Sequence, residues 1–445
     1  GLVGSVSQSE VGECEVHGRP DAEADQVAFG NLGTDCCECV TETGHDALGR
    51  VGQGAVQIED DQLWARRARH PAIVADGVSP MATGDPNLRR LVASITVLGV
   101  VTEQAGGSTL PLALRYHGDR AAEPGMLDFA VNLRHDHPPD WLVRRLSERL
   151  ADLAHYPSSD DEGAAVRAVS LRHGLPESHV LLLAGGAEGF ALLPTLRPRL
   201  AALIGPSFTE PDAVMAAAGV DVRHVTLEPP FHLSDATVPD EADLVVVGNP
   251  TNPTGVLHSR DEILALRRPG RIVVVDEAFA DSVPGEPESL ARMGLPDVLV
   301  LRSLTKTWSL AGLRIGYLLG DPGVLARLSS HRPHWPLGTL QLDAIRACCE
   351  PSAVAAAEDE ARRLAVTRSA MATALKGLGL DVVEGSAPFV LFSSPGGQLI
   401  RKHLHTKGIA VRRCDTFVGL GDDYLRVAVR PEWPTLVDEI AEVLR

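Results

Sequence analysis

The chain predicts an α/β fold built on a mostly parallel sheet, and three stretches carry that prediction. Val245–Gly255, VVVGNPTNPTG, joins a β-branched run to a Pro/Asn/Gly turn. Arg271–Ser282, RIVVVDEAFADS, repeats the pattern, with Asp276 where the apolar run stops. Val180–Leu193, VLLLAGGAEGFALL, runs from an apolar strand through Gly185–Gly186 into a helix-forming segment. Unbroken apolar runs, rather than alternating ones, suit strands covered on both faces. Polar loops at their carboxyl ends are where ligands sit in open α/β sheets.

Taken in order, the chain divides into four parts. Residues 1–80 hold fourteen acidic and five basic residues, no lysine and little periodicity, and read as an extension outside the fold and outside the native product. Residues 81–155 read as an N-terminal arm and the start of a smaller domain; the apolar stretch Leu91–Val101 there needs cover, which a partner subunit can give. Residues 156–335 are the alternating βα region. Residues 336–445 read as α+β. Helices are expected from LQLDAIRACCE and AVAAAEDEARRLAVTRSAMATALKGLG, followed by a strand VVEGSAPFVLFSS and a helix QLIRKHLHTKG. A strand YLRVAVR and a closing helix with Leu436, Ile440 and Val443–Leu444 on its packed stripe complete it.

The chemistry concentrates in Leu301–Tyr317, LRSLTKTWSLAGLRIGY. Lys306 stands in a polar Ser/Thr setting, as a lysine that must lose its proton and reach a carbonyl carbon requires. Arg314, eight residues on, has the planar fork that suits a dianionic phosphate, and Ser303 and Thr305 add hydroxyl donors. Together these residues can hold pyridoxal phosphate, covalently at the aldehyde and ionically at the phosphate. Taken singly, a Lys and an Arg at this spacing also fit a solvated helix face. Asp276 can pair with a pyridinium nitrogen and Asn252 can donate to the ring hydroxylate; a helix cap and a turn former are the structural alternatives. Gly185–Gly186 lets the backbone approach an anion at a helix N-terminus, at a spacing that matches neither a dinucleotide fingerprint nor a Walker loop. Phe208, after another short strand, can stack on a flat cofactor or fill the core.

Composition limits the rest. A net charge of −18 argues against a nucleic-acid groove or an anionic membrane surface. No apolar run reaches the length of a membrane span and no signal peptide opens the chain, so a cytoplasmic location is expected. Cys36, Cys37 and Cys39 lack a second pair at zinc-site spacing, so no metal is expected, and seven cysteines without a framework suit a reducing compartment.

The motifs GGAEG, PSFTEP, NPTNPTG, VVVDEAF, SLTK–LAGLRIGY and YLRVAVR, in this order, resemble the fold-type I pyridoxal-phosphate enzymes of the aspartate aminotransferase superfamily over about residues 116–445. The resemblance implies a large domain with a mostly parallel, seven-stranded type of sheet, a smaller α+β domain, and a homodimer with active sites near the interface. It implies that Lys306 forms the covalent link, Asp276 binds the pyridine nitrogen, and Asn252 contacts the ring hydroxyl. It also places Gly186, Ala187, Glu188, Phe208, Ala278, Ser303, Thr305 and Arg314 around the cofactor, with Tyr156 reaching the phosphate from the neighbouring subunit. Arg426 is implied for the substrate carboxylate.

Two subfamilies handle phosphorylated amino compounds. The chain is similar to threonine-phosphate decarboxylases at Phe279 of DEAF, at PSFTEP, and at VRRCDTFVGLGDDYLRVAVR. The segment RYHGDRAAEPGMLDFAVN and the tract HRPHWPLG look similar too, departing at Asp119, His334 and Gly338. The expectation is therefore decarboxylation of L-threonine O-3-phosphate to aminopropanol phosphate, a cobalamin precursor, with histidinol-phosphate aminotransferase as the alternative. Arg412 is the candidate for the substrate phosphate, assisted by His117; a surface arginine and a turn histidine are the plain readings of those two.

Overall fold

The computed structural model describes residues 118–445. The acidic first eighty residues, the apolar stretch Leu91–Val101 and His117 lie outside the described residues, as does the Asp119 side chain.

The apolar runs become the centre of the molecule. After a short β1 (Leu127–Asp128), one sheet takes β2 (Val180–Leu183), β3 (Leu200–Gly205), β4 (Asp221–Thr226), β5 (Leu244–Gly248), β6 (Ile272–Asp276), β7 (Val298–Ser303) and β8 (Gly316–Leu319). Its order is β2-β8-β7-β6-β5-β3-β4, with β8 antiparallel to both neighbours and the other pairings parallel. Every residue of β5 and β7 is buried, which explains why neither strand alternates polar and apolar positions. In register, Gly248 lies beside Asp276 and Asp276 beside Leu301, so β5, β6 and β7 end together and release their loops at one place.

The C-terminal part forms a second sheet. β9 (Asp381–Val382), β10 (Phe389–Ser393), β12 (Arg412–Arg413) and β13 (Tyr424–Ala428) run antiparallel in the order β12-β13-β10-β9, while β11 (Ile409–Ala410) pairs with β1 in parallel. Phe392, Val390, Leu425, Val427, Leu436 and Ile440 share its core. The expected single strand over VVEGSAPFVLFSS is two strands instead, β9 and β10, folded back on each other. The break has a steric cause. The Ser386 N–H donates to Gly255 O at 2.7 Å, and a Cβ on Gly385 would sit 2.7 Å from that same oxygen. The hairpin thus grips the NPTG loop, as only glycine permits.

Two helices link the sheets. Thr339–Cys348 packs on Ser159–His173, and the 27-residue helix Pro351–Gly377 reaches from the first sheet's side to β9 and β10. The closing helix Trp433–Val443 buries Leu436 and Ile440 completely, with Val443 partly covered; Leu444 caps the helix and is 42% exposed. Among the described residues no helix is long and apolar enough to cross a membrane.

Candidate active site

Side chains alternate along a strand, so the residue that ends β6 and its follower face opposite ways. Asp276 turns into a cavity of about 480 Å³ at the carboxyl ends of β5, β6 and β7. Glu277 turns to the other side and meets Arg302, whose successor Ser303 again faces the cavity. Arg302 Nη1 donates to Glu277 at 3.0 Å and to Glu286 at 2.6 Å, and Nη2 reaches Asp281. Arg172 joins the group through Asp281 at 2.7 Å. This buried ionic cluster fixes the ends of β6 and β7 relative to each other, directly behind Asp276 and Ser303.

The cavity gathers most of the residues expected from the sequence: Gly186, Ala187, Phe208, Asn252, Asp276, Ala278, Ser303, Thr305, Lys306, Arg314, Arg412 and Arg426. No α-helix opens at Asp276; its Oδ1 accepts from the Ala278 N–H at 3.1 Å and the chain passes into a short 3-10 turn, so the helix-cap alternative does not describe it. Burial lifts the Asp276 pKa to about 6, against the pull of Lys306. Lys306 sits on a tight turn braced by the Arg134 N–H on its carbonyl and by the Ser309–His135 contacts.

One end of the cavity is shaped for a phosphate. Ser303 and Thr305 hydroxyls lie 2.8 Å apart, buried. Gly185, at φ +87°, precedes the helix Gly186–Leu192, and a Cβ there would stand 2.8 Å from Arg314 Nη2. The guanidinium therefore fills the place a side chain would take, beside the free N–H groups of the helix start. Arg314 itself adopts φ +57°, with its carbonyl held by Gln341 Nε2 at 2.8 Å.

The cavity lining also holds two buried arginines. Arg426 donates to Asn252 Oδ1 at 2.5 Å and to Ala130 O at 2.6 Å, while its Nε has no hydrogen-bond partner. Burial lowers its pKa to about 9, and the like charge of Arg412 pushes the same way. Arg412 donates to Thr416 at 2.7 Å and lies 4.9 Å over the Phe417 ring. Two guanidiniums lining one cavity suit an anionic group.

Two expected residues among those described do not line this cavity. Glu188 accepts from the Ala184 N–H at 2.6 Å and from Arg332 at 2.9 Å, which turns it from the cavity. Tyr156 is 75% exposed and stacks on Trp335 with ring centroids 4.3 Å apart. His117 lies outside the described residues. Conversely, Asn132 lines the cavity with its buried Oδ1 unpaired, and Glu210 and Phe417 line it too. None of the three was singled out from sequence, although LDFAVN, PSFTEP and CDTFVGL contain them. A larger cleft of about 1130 Å³ between Arg167, Arg260, Glu286, Met293 and Val354 contains none of the expected residues.

Known proteins resemble this chain over the described residues. The family model for aminotransferase class I and II matches residues 126–442. A histidinol-phosphate aminotransferase of Mycobacterium tuberculosis is 64% identical over 335 residues, covering 75% of this chain and 92% of that protein. A threonine-phosphate decarboxylase of Salmonella typhimurium is 30% identical over 318 residues, covering 68% and 87%. A histidinol-phosphate aminotransferase structure from Sinorhizobium meliloti, in complex with pyridoxal-5'-phosphate, superposes with a TM-score of 0.62 at 18% identity, over 71% of this chain and 88% of that one.

These findings correct the expected reaction. Decarboxylation of threonine phosphate is overturned by the gap between 64% and 30% identity, which favours the aminotransferase alternative. Phe279, on which the decarboxylase reading leaned, lines the cavity and packs edge-on against Phe389 at 5.1 Å in an apolar cluster with Ala387. Its place there is compatible with either reaction.

Proposed function

The chain belongs to the class I and II aminotransferase family and is a pyridoxal-phosphate-dependent enzyme, and from that premise we propose that it transfers the amino group of histidinol phosphate to 2-oxoglutarate. What carries the reading is the 64% identity across 92% of a relative bearing that name. Two buried arginines in the cavity besides Arg314 support it, because such a substrate brings an anion besides the cofactor's own.

Bound pyridoxal phosphate supplies an aldehyde and an electron-withdrawing ring. Lys306 would hold the aldehyde, and its Nζ would move a proton at the substrate Cα. Asp276 would hold a proton on the ring nitrogen with its carboxylate. A cation at that place lowers its pKa from about 6 and keeps it ionised. Asn252 donates to the ring hydroxylate through its amide nitrogen, since its oxygen is committed to Arg426. Phe208 and Ala278, which line the cavity, would contact the ring. Gly186, Ala187, Ser303, Thr305 and Arg314 bind the cofactor phosphate. Arg412 binds the substrate phosphate, and Arg426 the α-carboxylate of glutamate.

We also read the protein as a homodimer. Tyr156 and Trp335, 75% and 56% exposed, form a stacked aromatic pair that a second copy would cover, bringing Tyr156 to that copy's phosphate site.

The test is steady-state turnover of purified holoprotein with histidinol phosphate, followed as glutamate formation. Formation that depends on 2-oxoglutarate supports the reading. Brisk CO2 release from L-threonine O-3-phosphate with no glutamate formed contradicts it.

A further inference from the structure

Among the described residues the cavity wall carries two carboxylates, Asp276 and Glu210. Asp276 has a role beside the cofactor ring; Glu210 has none so far. Glu210 opens the helix Glu210–Ala217, two residues after Phe208, and is half-buried. Its carboxylate makes no hydrogen bond or ion pair with the described residues, although Lys306, Arg314, Arg412 and Arg426 line the same cavity. Neighbouring acids are engaged: Asp212 bonds His224 at 2.8 Å, and Glu188 bonds Arg332.

Its position along the cavity follows from the backbone. The segment after Arg412 crosses the ends of β3 and β4: a Cβ on Gly419 would overlap Thr226 Cγ2, and one on Gly205 would lie 3.8 Å from Val418 O. The end of β3 from which Phe208–Glu210 departs is therefore adjacent to the wall bearing Phe417 and Arg412. Glu210, which makes no hydrogen bond with the described residues, thus lines the same cavity as the Phe417 ring and the Arg412 guanidinium stacked on it. That combination matches a planar ring with an N–H donor attached close to a phosphate.

We propose that Glu210 is a specificity-determining residue whose carboxylate accepts a hydrogen bond from the ring N–H of an imidazole-bearing phosphorylated amine. The inference rests on the amino-transfer reading above and adds what selects the substrate. A site built around a hydrogen bond to the substrate rejects the analogue that lacks the donor far better than an apolar pocket does. Glutamate, the other amino compound of the cycle, offers no ring donor and gains nothing from Glu210.

The experiment compares holoenzyme and Glu210→Gln with histidinol phosphate, with the phenyl analogue phenylalaninol phosphate, and in the half-reaction with glutamate. The variant is expected to lose about 10- to 100-fold in kcat/KM for the imidazole substrate, mainly through KM, because a charged acceptor becomes a neutral one. The phenyl analogue and the glutamate half-reaction are expected to stay unchanged. Wild-type turnover of histidinol phosphate with no loss in the variant overturns this inference alone, and so does a loss shared by all three compounds. Absence of wild-type turnover sinks the reading beneath it instead.

Discussion

Arg426 donates a 2.5 Å hydrogen bond to the Asn252 side-chain oxygen, and that contact ties β13 of the C-terminal sheet to the loop leaving β5. The same guanidinium holds Ala130 O at 2.6 Å. One side chain therefore joins three segments that are far apart in sequence, and its fork still faces the cavity. Orienting Asn252 is a consequence of that placement, and so would be the anion binding proposed for Arg426.

Replacing Arg426 by lysine keeps the charge and removes the fork. A single ammonium cannot serve Asn252, Ala130 and a carboxylate together. The KM for glutamate is expected to rise about 10- to 100-fold, with a smaller effect on the phosphorylated amine. Steady-state kinetics with each substrate varied in turn checks this, and equal effects on both would count against the assigned carboxylate site.

Gly185 gives a second prediction. At φ +87°, with Arg314 Nη2 2.8 Å from the place of a Cβ, alanine is strained twice over. Either the backbone or the guanidinium must move, and both form the phosphate cradle. Gly185→Ala is expected to weaken cofactor affinity by about tenfold or more, measured by equilibrium titration of the cofactor-free protein. Unchanged affinity would mean that the cradle binds no phosphate.

Asp276 gives a pH-dependent prediction. Burial raises its pKa to about 6, so the folded protein binds its proton more tightly than the unfolded chain does. The sign follows: this group costs stability progressively as pH rises from about 4 to about 6, and the full cost persists above. Cofactor-free Asp276→Asn should then exceed the wild type in stability by up to about 3 kcal/mol near pH 7 and match it near pH 4. Denaturant unfolding of both proteins across that range measures the difference. With the cofactor bound the advantage should reverse, because asparagine cannot hold the ring nitrogen's proton.

The Arg302 cluster gives a stability prediction. Glu277 and Arg302 are buried and each has its charge met by the other. Arg302→Ala leaves Glu277, Asp281 and Arg172 imbalanced away from water, with an expected loss of about 3–5 kcal/mol. Substituting exposed Arg362, whose ion pairs lie on a solvated helix face, should cost less than about 1 kcal/mol. Thermal unfolding of the two variants separates these cases.

Much of the site was legible because each motif ends a strand. Asn252, Asp276, Ser303 and Lys306 follow apolar runs, and a parallel sheet brings such ends together whatever lies between them. Glu188 was not legible, because its direction depends on Arg332, 144 residues away. Asn132 gave no sequence signal beyond its place in LDFAVN; its burial comes from folding against the C-terminal sheet. The hairpin of β9 and β10 depends on one backbone approach between Gly255 and Gly385. Reaction type was not legible from Phe279, which lines the cavity and also packs against Phe389, a placement compatible with either reaction.

Mixing the purified, cofactor-loaded protein with histidinol phosphate alone, and recording its visible spectrum, tests the central claim most directly. Amino-group transfer predicts loss of the lysine-bound cofactor's colour and its conversion to the amine form, reversed on adding 2-oxoglutarate. A spectrum that histidinol phosphate leaves unchanged, or a Lys306→Ala protein that behaves as the wild type does, would contradict it.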